Sequence, residues 1–563
     1  MAKAGAPFSR PLNFPRRRAA SQHSMSSDTA SAAAPTARIP RQIPYIIGNE
    51  GCERFSFYGM RNILTVFLVS YLLLDRPEAA RAGEAKDVFH SFVIGSYFFP
   101  LLGGWVADRF FGKYRTMIWF SLIYCAGHLC LALSETSRAG FYTGLALIAL
   151  GAGGIKPITP AFLGDQFDQT NKHRAKVVFD AFYWIINFGS FFASLLMPIF
   201  LKNLGPAVAF GIPGALMFIS TVILWAGRNS YVMVPPSPPE PDSFLNIAHS
   251  ALLGTARGRG YAAMAAVGAV ASLLLIPWLG FGVTVIALCC ALVSILFFGG
   301  LGMWQQLEQV RGEHADEAID GARGVLRVLV LFALVTPFWS LFDQKASTWV
   351  LQGAAMAPWH LFDLEALRQS SPLFATVFGH FATIQPSQMQ AFNPALVMLL
   401  IPLNNLVFFP LLRAAGLQVT ALRRMTVGIG FAGASWVVIA LLQLVLDRGQ
   451  GLSLAWQILP YILLTMGEVL VSATGVEVAY SQAPASMKGA MMSLWYLSVT
   501  FGNLWVLVAN AAVRNATVTD MIASTGFGVT AFQMFFFAGF AFVAAVAFGL
   551  VARSYRVVDY YRK

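Results

Sequence analysis

The stretch Asn49-Glu-Gly-Cys-Glu-Arg-Phe-Ser-Phe-Tyr-Gly-Met-Arg61 places four charges inside an otherwise apolar segment, residues 44–74. These charges are Glu50, Glu53, Arg54 and Arg61. On a helix, the four-residue spacing lets Glu50 pair with Arg54, and the seven-residue spacing puts Arg54 and Arg61 on one face about 10 Å apart. A buried structural ion pair explains two of the charges and leaves two unexplained. Because ionisable residues inside a membrane span are costly and mark function, the stretch predicts a helix that lines a polar cavity.

The composition of the whole chain predicts that this helix crosses a membrane. Of the 563 residues, 57% are hydrophobic and 12% are charged, whereas a soluble domain carries about 25% charged residues. So few charges leave too little polar surface for a water-facing body of this size, which argues against a soluble enzyme. The net charge of +12 does not indicate nucleic-acid binding, because seven bases and one acid in residues 1–42 supply half of it.

Apolar runs long enough to span a bilayer, which takes about 20 residues, recur along the chain. Lysine and arginine concentrate in alternate loops, for instance at Arg109, Lys113 and Arg115. This bias places both termini in the cytoplasm, which requires an even number of spans. We expect fourteen spans, with the approximate bounds 44–74, 87–108, 114–134, 139–162, 178–201, 206–227, 260–279, 281–303, 324–352, 391–413, 421–446, 452–479, 488–513 and 525–553.

Polar segments divide these runs into groups. The Pro-rich segment 229–259 precedes two plain helices that carry no charge between Tyr261 and Gln306, so we expect those two helices to face lipid. The predicted organisation is a disordered basic N-terminal tail (1–40), an N-terminal six-helix bundle (41–228), a cytoplasmic linker (229–259), two inserted transmembrane helices (260–303), a second cytoplasmic linker (304–322) and a C-terminal six-helix bundle (323–556).

Further ionisable residues lie inside the predicted spans. They are Lys156, Asp343, Lys345, Glu468 and, at the start of the second span, His90. Acids and bases are roughly matched, as a water-filled path with exchangeable ion pairs requires. A carboxylate beside an alternative cation can exchange that partner for a proton, which couples proton movement to conformational change. The sequence contains no metal-ligand spacing, nucleophile–base arrangement or phosphate-binding loop, so we expect neither an enzyme nor a metal site.

Several blocks of this sequence resemble the signatures of the proton-dependent oligopeptide transporter (POT/PTR) family, within the major facilitator superfamily. In chain order the blocks are Glu50-x-x-Glu53-Arg54-Phe55 with Tyr58-Gly59-Met60-Arg61, Gly103 to Lys113, Gly153-Gly154-Ile155-Lys156-Pro157, Phe338-Trp339 to Trp349, Gln388-Met-Gln390-x-x-Asn393-Pro394, and Gly467-Glu468-Val469. Their order and their spread over most of the chain make the resemblance specific. The chain departs from the family pattern at Phe57, which replaces a tyrosine, and at Lys345, which replaces a glutamine.

The resemblance implies an all-α membrane protein with the major facilitator fold. This fold would comprise two six-helix bundles plus two extra helices between them, fourteen transmembrane helices in all. The implied function is a proton-coupled symporter that imports di- and tripeptides by alternating access across the bacterial inner (plasma) membrane. The implied partners are these peptides, protons and the lipid bilayer, with no nucleic acid and no cofactor, and the protein would function as a monomer.

The resemblance also implies a role for each of the unusual residues. Proton coupling would involve Glu50, Glu53, Arg54, His90 and Asp343. The substrate carboxylate would bind Arg54, Arg61 and Lys156, and the substrate amine would bind Asn187, Asn393 and Glu468. The side-chain pocket would contain Tyr58, Tyr97, Trp339 and Trp495, although ordinary helix packing explains Trp495 equally well. Arg61–Asp343 and Lys156–Glu468 would be the gating pairs.

His90 receives its role from a spacing. It lies seven residues before Tyr97 and ten before Pro100, which resembles the register of a histidine in animal peptide transporters, whereas the chain otherwise resembles bacterial members. Histidine exchanges protons near neutral pH, which suits uptake from a mildly acidic exterior.

Two alternatives to peptide symport remain open from the sequence. One is a family member that carries another anionic or zwitterionic solute, such as nitrate or a modified peptide. The other is a peptide sensor that does not transport. The presence of both Lys156 and Glu468 favours a zwitterion, because a simple anion needs no carboxylate for an amine.

Overall fold

The computed structural model describes residues 39–168, 171, 174–236, 240–276, 281–482 and 487–555. The predicted disordered tail lies almost wholly outside the described residues, and so does the end of the predicted span 260–279. Fourteen long helices make up most of the described chain. They are α1 (Ile43–Phe67), α2 (Glu78–Val106), α3 (Lys113–Leu133), α4 (Arg138–Ile155), α5 (Ala175–Leu204), α6 (Pro206–Ala226), α7 (Ala256–Leu273), α8 (Phe281–Gln306), α9 (Asp316–Asp343), α10 (Phe392–Leu403), α11 (Ala421–Asp447), α12 (Ile458–Ser481), α13 (Lys488–Ala512) and α14 (Val529–Ser554).

The helices pack as two bundles with a pair of helices added. In the first bundle, α1 packs against α5 and α6, while α4 packs against α2 and α3. In the second, α11 packs against α12 and α14, while α9 packs against α13 and α14. Helices α7 and α8 pack on each other, and α8 also touches α2 and α13. This arrangement agrees with the expected fold class of two six-helix bundles plus two extra helices.

Twelve of the described helices are long and apolar enough to cross a membrane. The other two long helices, α1 and α7, carry charges: α1 has the four intramembrane charges of the opening stretch, and α7 begins with Arg257 and Arg259. The count of fourteen spans therefore stays a prediction for α1 and α7. Large apolar side chains are exposed on the outer surface, such as Leu133 and Leu406, each 76% exposed. A surface of this kind is suited to contact with lipid.

Two helices break where the sequence predicted one continuous span. The predicted span 139–162 ends as α4 at Ile155, because Pro157 lacks an N–H and its ring clashes with a helical carbonyl. A short helix, Ile158–Gly164, follows. The predicted span 324–352 also breaks: α9 ends at Asp343, and the 3-10 turn Gln344–Ala346 leads to Ser347, whose backbone (φ −126°, ψ −79°) is not helical.

Shorter elements occupy the connections. Before α10, β1 (Trp359–His360) pairs antiparallel with β2 (Thr383–Ile384). The α-helical pieces are Ile158–Gly164, Phe244–His249, Thr348–Ala354, Leu364–Ser370, Pro372–Phe378, Phe409–Ala414 and Ala516–Ser524. The π-helical turns are Leu68–Leu72, Ala107–Phe111, Ser250–Gly254 and Asn404–Phe408, and the 3-10 turns are Gly227–Asn229, Leu307–Val310, Gln344–Ala346, Gly379–Phe381, Pro386–Ala391 and Leu454–Gln457.

Glycines set how closely α2 approaches α4. A Cβ atom added at Gly103 would lie 2.5 Å from the Cα atom of Gly154 and 2.8 Å from the carbonyl oxygen of Gly153. Both contacts are with backbone, which cannot move aside as a flexible side chain would. This close approach holds the end of α4, which precedes Lys156, against α2 within the first bundle.

We expect Gly103→Ala to lower the stability of the protein by about 1–3 kcal/mol, because the added methyl group forces α2 and α4 apart. Gly104 is the matched control, since it is the next residue of the same helix and a Cβ there meets nothing within 4 Å. Thermal unfolding of the two purified variants in one detergent measures the difference. Equal melting temperatures for the two variants would contradict the close approach of the helices.

Candidate functional site

The charges of α1 form a buried cluster around Arg54. Its Nε donates to Oε1 of Glu50 at 2.6 Å, the pair that the four-residue spacing predicts. The same Nε lies 3.1 Å from Oε2 of Glu53. All three side chains are buried in the first bundle. One guanidinium is thus shared by two carboxylates, so protonation of either acid still leaves Arg54 with a partner.

Part of this cluster is not hydrogen-bonded. Oε2 of Glu50 and both carboxylate oxygens of Glu53 have no hydrogen-bond partner among the residues that the structure describes. A buried polar atom without a partner is energetically costly. These three oxygens are therefore open to a hydrogen-bond donor that the described residues do not supply.

Lys156 is a buried lysine at the C-terminal end of α4. Its Nζ lies 3.4 Å from the centroid of the Phe57 ring and 4.8 Å from that of Tyr97. A cation over an aromatic face is stabilised by the electrons of the ring. Phe57, the departure from the family pattern, thus supplies a ring face for this lysine. The structure does not bring Lys156 into ion-pair contact with Glu468, so the predicted gating pair is not formed in this conformation.

Glu468 has other neighbours. Its Oε2 accepts from Nδ2 of Asn393 at 2.5 Å, and that nitrogen also lies 3.0 Å from Oγ1 of Thr465. The oxygen of the same Asn393 amide accepts from Nζ of Lys345 at 2.8 Å. The structure therefore joins two of the residues predicted for amine binding. The third, Asn187, donates instead to the carbonyl of Tyr183 at 2.9 Å, within its own helix.

The second gating pair is formed, and it joins the two bundles. Nη2 of Arg61, from the first bundle, donates to Oδ1 of Asp343, from the second, at 2.5 Å. Oδ2 of Asp343 accepts from Nδ2 of Asn503 at 2.8 Å. The side chain of Arg61 is 6% exposed and that of Asp343 is 3% exposed. Water therefore screens this pair only weakly.

His90 continues this network across the two bundles. Its Nδ1 lies 2.6 Å from Oδ1 of Asn503, and its Nε2 lies 2.9 Å from Oγ of Ser347. The amide nitrogen of Asn503 already donates to Asp343 and to the Val499 carbonyl, so the amide oxygen must accept from Nδ1–H of His90. Nε2 is then the nitrogen that accepts from Ser347 when His90 is neutral. A proton at Nε2 would reverse that hydrogen bond.

A further ion pair joins the bundles at the end where α1 finishes and α2 begins, here named the distal end. Arg514, just after α13, donates to the carboxylate of Asp87 on α2. Asn510 also donates to Asp87, at 3.1 Å. We name the whole set of contacts the distal seal; it consists of Arg61, Asp87, His90, Asp343, Ser347, Asn503, Asn510 and Arg514.

Comparison with known proteins identifies the family of this chain. The family model PTR2, described as the POT family, matches residues 114–530. The crystal structure of an auto-inhibited POT family peptide transporter is 61% identical, with a TM-score of 0.85 over 93% of this chain and 99% of that chain. The chain belongs to the POT family. The in meso crystal structure of the POT family transporter PepTSo is 58% identical, with a TM-score of 0.86 over 93% of this chain and 100% of that chain.

Curated POT relatives are more distant and longer. Solute carrier family 15 member 2 of Danio rerio is 30% identical over 411 residues, which cover 70% of this chain and 48% of the relative. Peptide transporter 3 of Caenorhabditis elegans is 31% identical over 419 residues, which cover 72% of this chain and 51% of the relative. The chain thus spans about half the length of the curated relatives it matches.

The aromatic residues predicted for the substrate pocket fall into two groups. Two pack in the core of the second bundle, and two lie beside Lys156 and Phe57. Trp339 and Trp495 are buried with ring centroids 5.9 Å apart, and Nε1 of Trp339 donates to Ser498. In this conformation both therefore form part of the core of the second bundle. Tyr97 faces Lys156, and Tyr58 meets the Phe57 ring edge-on at 5.5 Å between centroids.

Several members of the distal seal were not predicted from the sequence. Ser347, Asn503, Asn510 and Arg514 lie outside the family motifs on which roles were assigned, or had no role assigned within them. One signal was available, because Asn503 and Asn510 are seven residues apart in an apolar helix and so share a face. His90 and Asp87, which they contact, lie more than 400 residues earlier in the chain, and sequence spacing does not reveal such pairs.

We expect Asp87→Arg to open the distal end, because it sets two like charges against each other at Arg514. The double variant Asp87→Arg/Arg514→Asp should restore closure. In a protein whose five native cysteines are replaced, spin labels are attached at positions 78 and 520. Pulsed electron paramagnetic resonance then measures the distance between the two labels, and so the separation of the bundles at the distal end.

The control for this prediction is Glu84→Arg. It reverses a charge on the same helix whose partner, Arg76, belongs to the same bundle. The label distance should grow in Asp87→Arg alone. A distance that grows equally in the double variant would show that the ion pair does not hold the bundles together.

Proposed function

We propose that this chain is a proton-coupled symporter that imports di- and tripeptides by alternating access. The observation that carries the proposal is the division of charge between the two bundles. Arg54, Arg61 and Lys156 belong to the first bundle, and Glu468 and Asn393 belong to the second. In the proposal these residues face one central cavity. The proposal is supported by relatives named as peptide transporters among both the curated proteins and the solved structures.

This division suits the part that all short peptides share. Each has a carboxylate at one end and an ammonium at the other, whereas the side chains between them vary. The cations of the first bundle would bind the carboxylate, and Glu468 with Asn393 would bind the amine. Aromatic rings beside the cavity, such as Phe57 and Tyr97, would accept varied side chains through apolar contact.

Protons, with no other cofactor, would drive the cycle through the paired charges. A proton on Glu50 or Glu53 would leave Arg54 with a single carboxylate partner, so Arg54 would be held less strongly and would bind the peptide carboxylate more readily. The peptide and the proton would together favour separation of Arg61 from Asp343, and so opening of the distal end. A ligand shifts a conformational equilibrium only by binding one state better than another, and these exchanges of partner supply that difference.

The proposed setting is the bacterial inner (plasma) membrane, with several spans and both termini in the cytoplasm. The distal end would then face outward, and the conformation would be closed to the outside. The side-chain hydrogen bonds that the described residues make between the bundles lie towards this end. One chain contains both halves of the cavity, which supports function as a monomer.

We expect the purified protein in liposomes to accumulate labelled dialanine when an inward proton gradient is imposed. Glu468→Gln should abolish accumulation, because the peptide amine loses its negative partner. Glu477→Gln is the matched control: it lies on the same helix, but its side chain is 52% exposed and paired with Arg424. Absence of gradient-driven uptake by the unaltered protein would refute dipeptide symport and leave the two alternatives, a carrier of another solute and a sensor. Accumulation by Glu468→Gln would refute the amine site.

We expect His90→Gln to uncouple transport from the gradient. Counterflow exchange of dialanine, which needs no gradient, should persist, while gradient-driven accumulation should fall at least about tenfold because the coupling between proton and peptide is lost. His128→Gln is the control, because His128 is equally buried but, among the residues that the structure describes, its side chain hydrogen-bonds only to Ser56, which also belongs to the first bundle. A response to the gradient that is the same in His90→Gln and in the unaltered protein would remove His90 from the coupling path.

A further inference from the structure

Lys345 is a buried lysine that the proposed transport cycle does not use. It lies in the turn Gln344–Ala346, where the family pattern has a glutamine, and it is 5% exposed. Its Nζ sits 3.3 Å from the centroid of the Phe342 ring and donates to the Asn393 oxygen at 2.8 Å. An ammonium group at this depth needs partners, and these two contacts supply them.

The second of these contacts places Lys345 in the amine site. The Asn393 amide receives the ammonium on its oxygen and donates from its nitrogen to Glu468 at 2.5 Å. The ammonium of Lys345, the amide of Asn393 and the carboxylate of Glu468 thus form a hydrogen-bonded chain. A peptide amine bound to Asn393 and Glu468 would complete the same three groups. Lys345 therefore occupies the electrostatic position that the substrate amine would take.

The other cations of the cavity have different partners. Arg54 is held by Glu50 and Glu53, Arg61 pairs with Asp343, and Lys156 lies over aromatic rings. Among the described residues, Lys345 is thus the cation linked to Glu468 through a shared hydrogen-bond partner. Without it, Glu468 would be a part-buried carboxylate with no hydrogen-bonded link to a cation, which is unfavourable unless a ligand supplies one.

We propose that Lys345 is a tethered counter-ion for Glu468 and that it allows the site to accept peptides whose amine is blocked. This inference rests on the proposed function of the same site. A peptide with a free amine brings its own cation and displaces Lys345. An N-acylated peptide brings none, so Lys345 stays in place and Glu468 keeps its partner. With glutamine at position 345, the N-acylated peptide would leave Glu468 bare.

A purely structural lysine would behave differently. If Lys345 only supported the fold of the turn, its loss would weaken the binding of free and N-acylated peptides alike. A counter-ion makes opposite demands on the two ligands. Its removal helps the free peptide, which no longer competes with it, and harms the N-acylated peptide. The ratio of the two affinities therefore distinguishes a counter-ion from a packing residue.

The test measures binding of dialanine and N-acetyl-dialanine to the full-length purified chain, without any proton gradient. In Lys345→Gln, the dissociation constant of N-acetyl-dialanine divided by that of dialanine should rise at least about tenfold, because the carboxylate of Glu468 loses the cation to which it is linked through Asn393. Lys345→Arg keeps the charge, and its ratio should stay near that of the unaltered protein. An unchanged ratio in Lys345→Gln would overturn the proposal.

Three further outcomes also test the Lys345 proposal or the proposed function. If Lys345→Gln does not fold, Lys345→Met removes the charge with a similar length of side chain, and the same rise in ratio is required of it. Unaltered protein that binds both peptides but does not accumulate them would refute symport and leave the counter-ion testable by the ratio. Unaltered protein that binds neither peptide would overturn both the proposed function and this inference.

Discussion

The ion pair between Arg61 and Asp343 is the interaction on which the proposed mechanism depends. It joins the two bundles with both partners nearly out of water. Removing one partner of such a pair leaves an uncompensated buried charge, at a cost of about 3–5 kcal/mol. In the proposed cycle, the bundles would therefore separate at the distal end when other groups satisfy Arg61 and Asp343. In the proposed cycle a proton and a peptide carboxylate do so together, which is a physical basis for coupling.

The breaks after α4 and after α9 decide where Lys156, Asp343 and Lys345 lie. A continuous α4 would carry Lys156 in the middle of a helix, but Pro157 ends the helix and leaves the lysine at its tip. The turn after α9 lets Asp343, Lys345 and Ser347 reach three different partners within five residues: Arg61, Asn393 and His90. The irregular backbone at these two breaks thus positions the charged side chains. Non-helical backbone is tolerated inside a membrane where it is buried in protein or lines a cavity.

The sequence predicted the membrane class, the two-bundle fold and the Glu50–Arg54 pair, because composition and helical spacing are local properties. The Arg61–Asp343 pair was reached through family resemblance. Spacing could not predict the hydrogen bond from His90 to Asn503, because it depends on which ends of the bundles are closed. It could not predict the break at Ser347 either, because no proline or glycine marks it. The neighbour of Glu468 proved to be Lys345 through Asn393, since which lysine lies near that carboxylate depends on conformation.

The most direct test of coupling uses a peptide gradient, instead of a proton gradient, as the driving force and measures whether it moves protons. Liposomes that contain the purified protein and a trapped pH-sensitive dye are given external dialanine, with equal pH on both sides and the membrane potential clamped. If protons and peptide must together replace the Arg61–Asp343 pair, the lumen should acidify as peptide enters, and Glu468→Gln liposomes should show no change. Peptide entry that leaves the luminal pH unchanged would contradict the account.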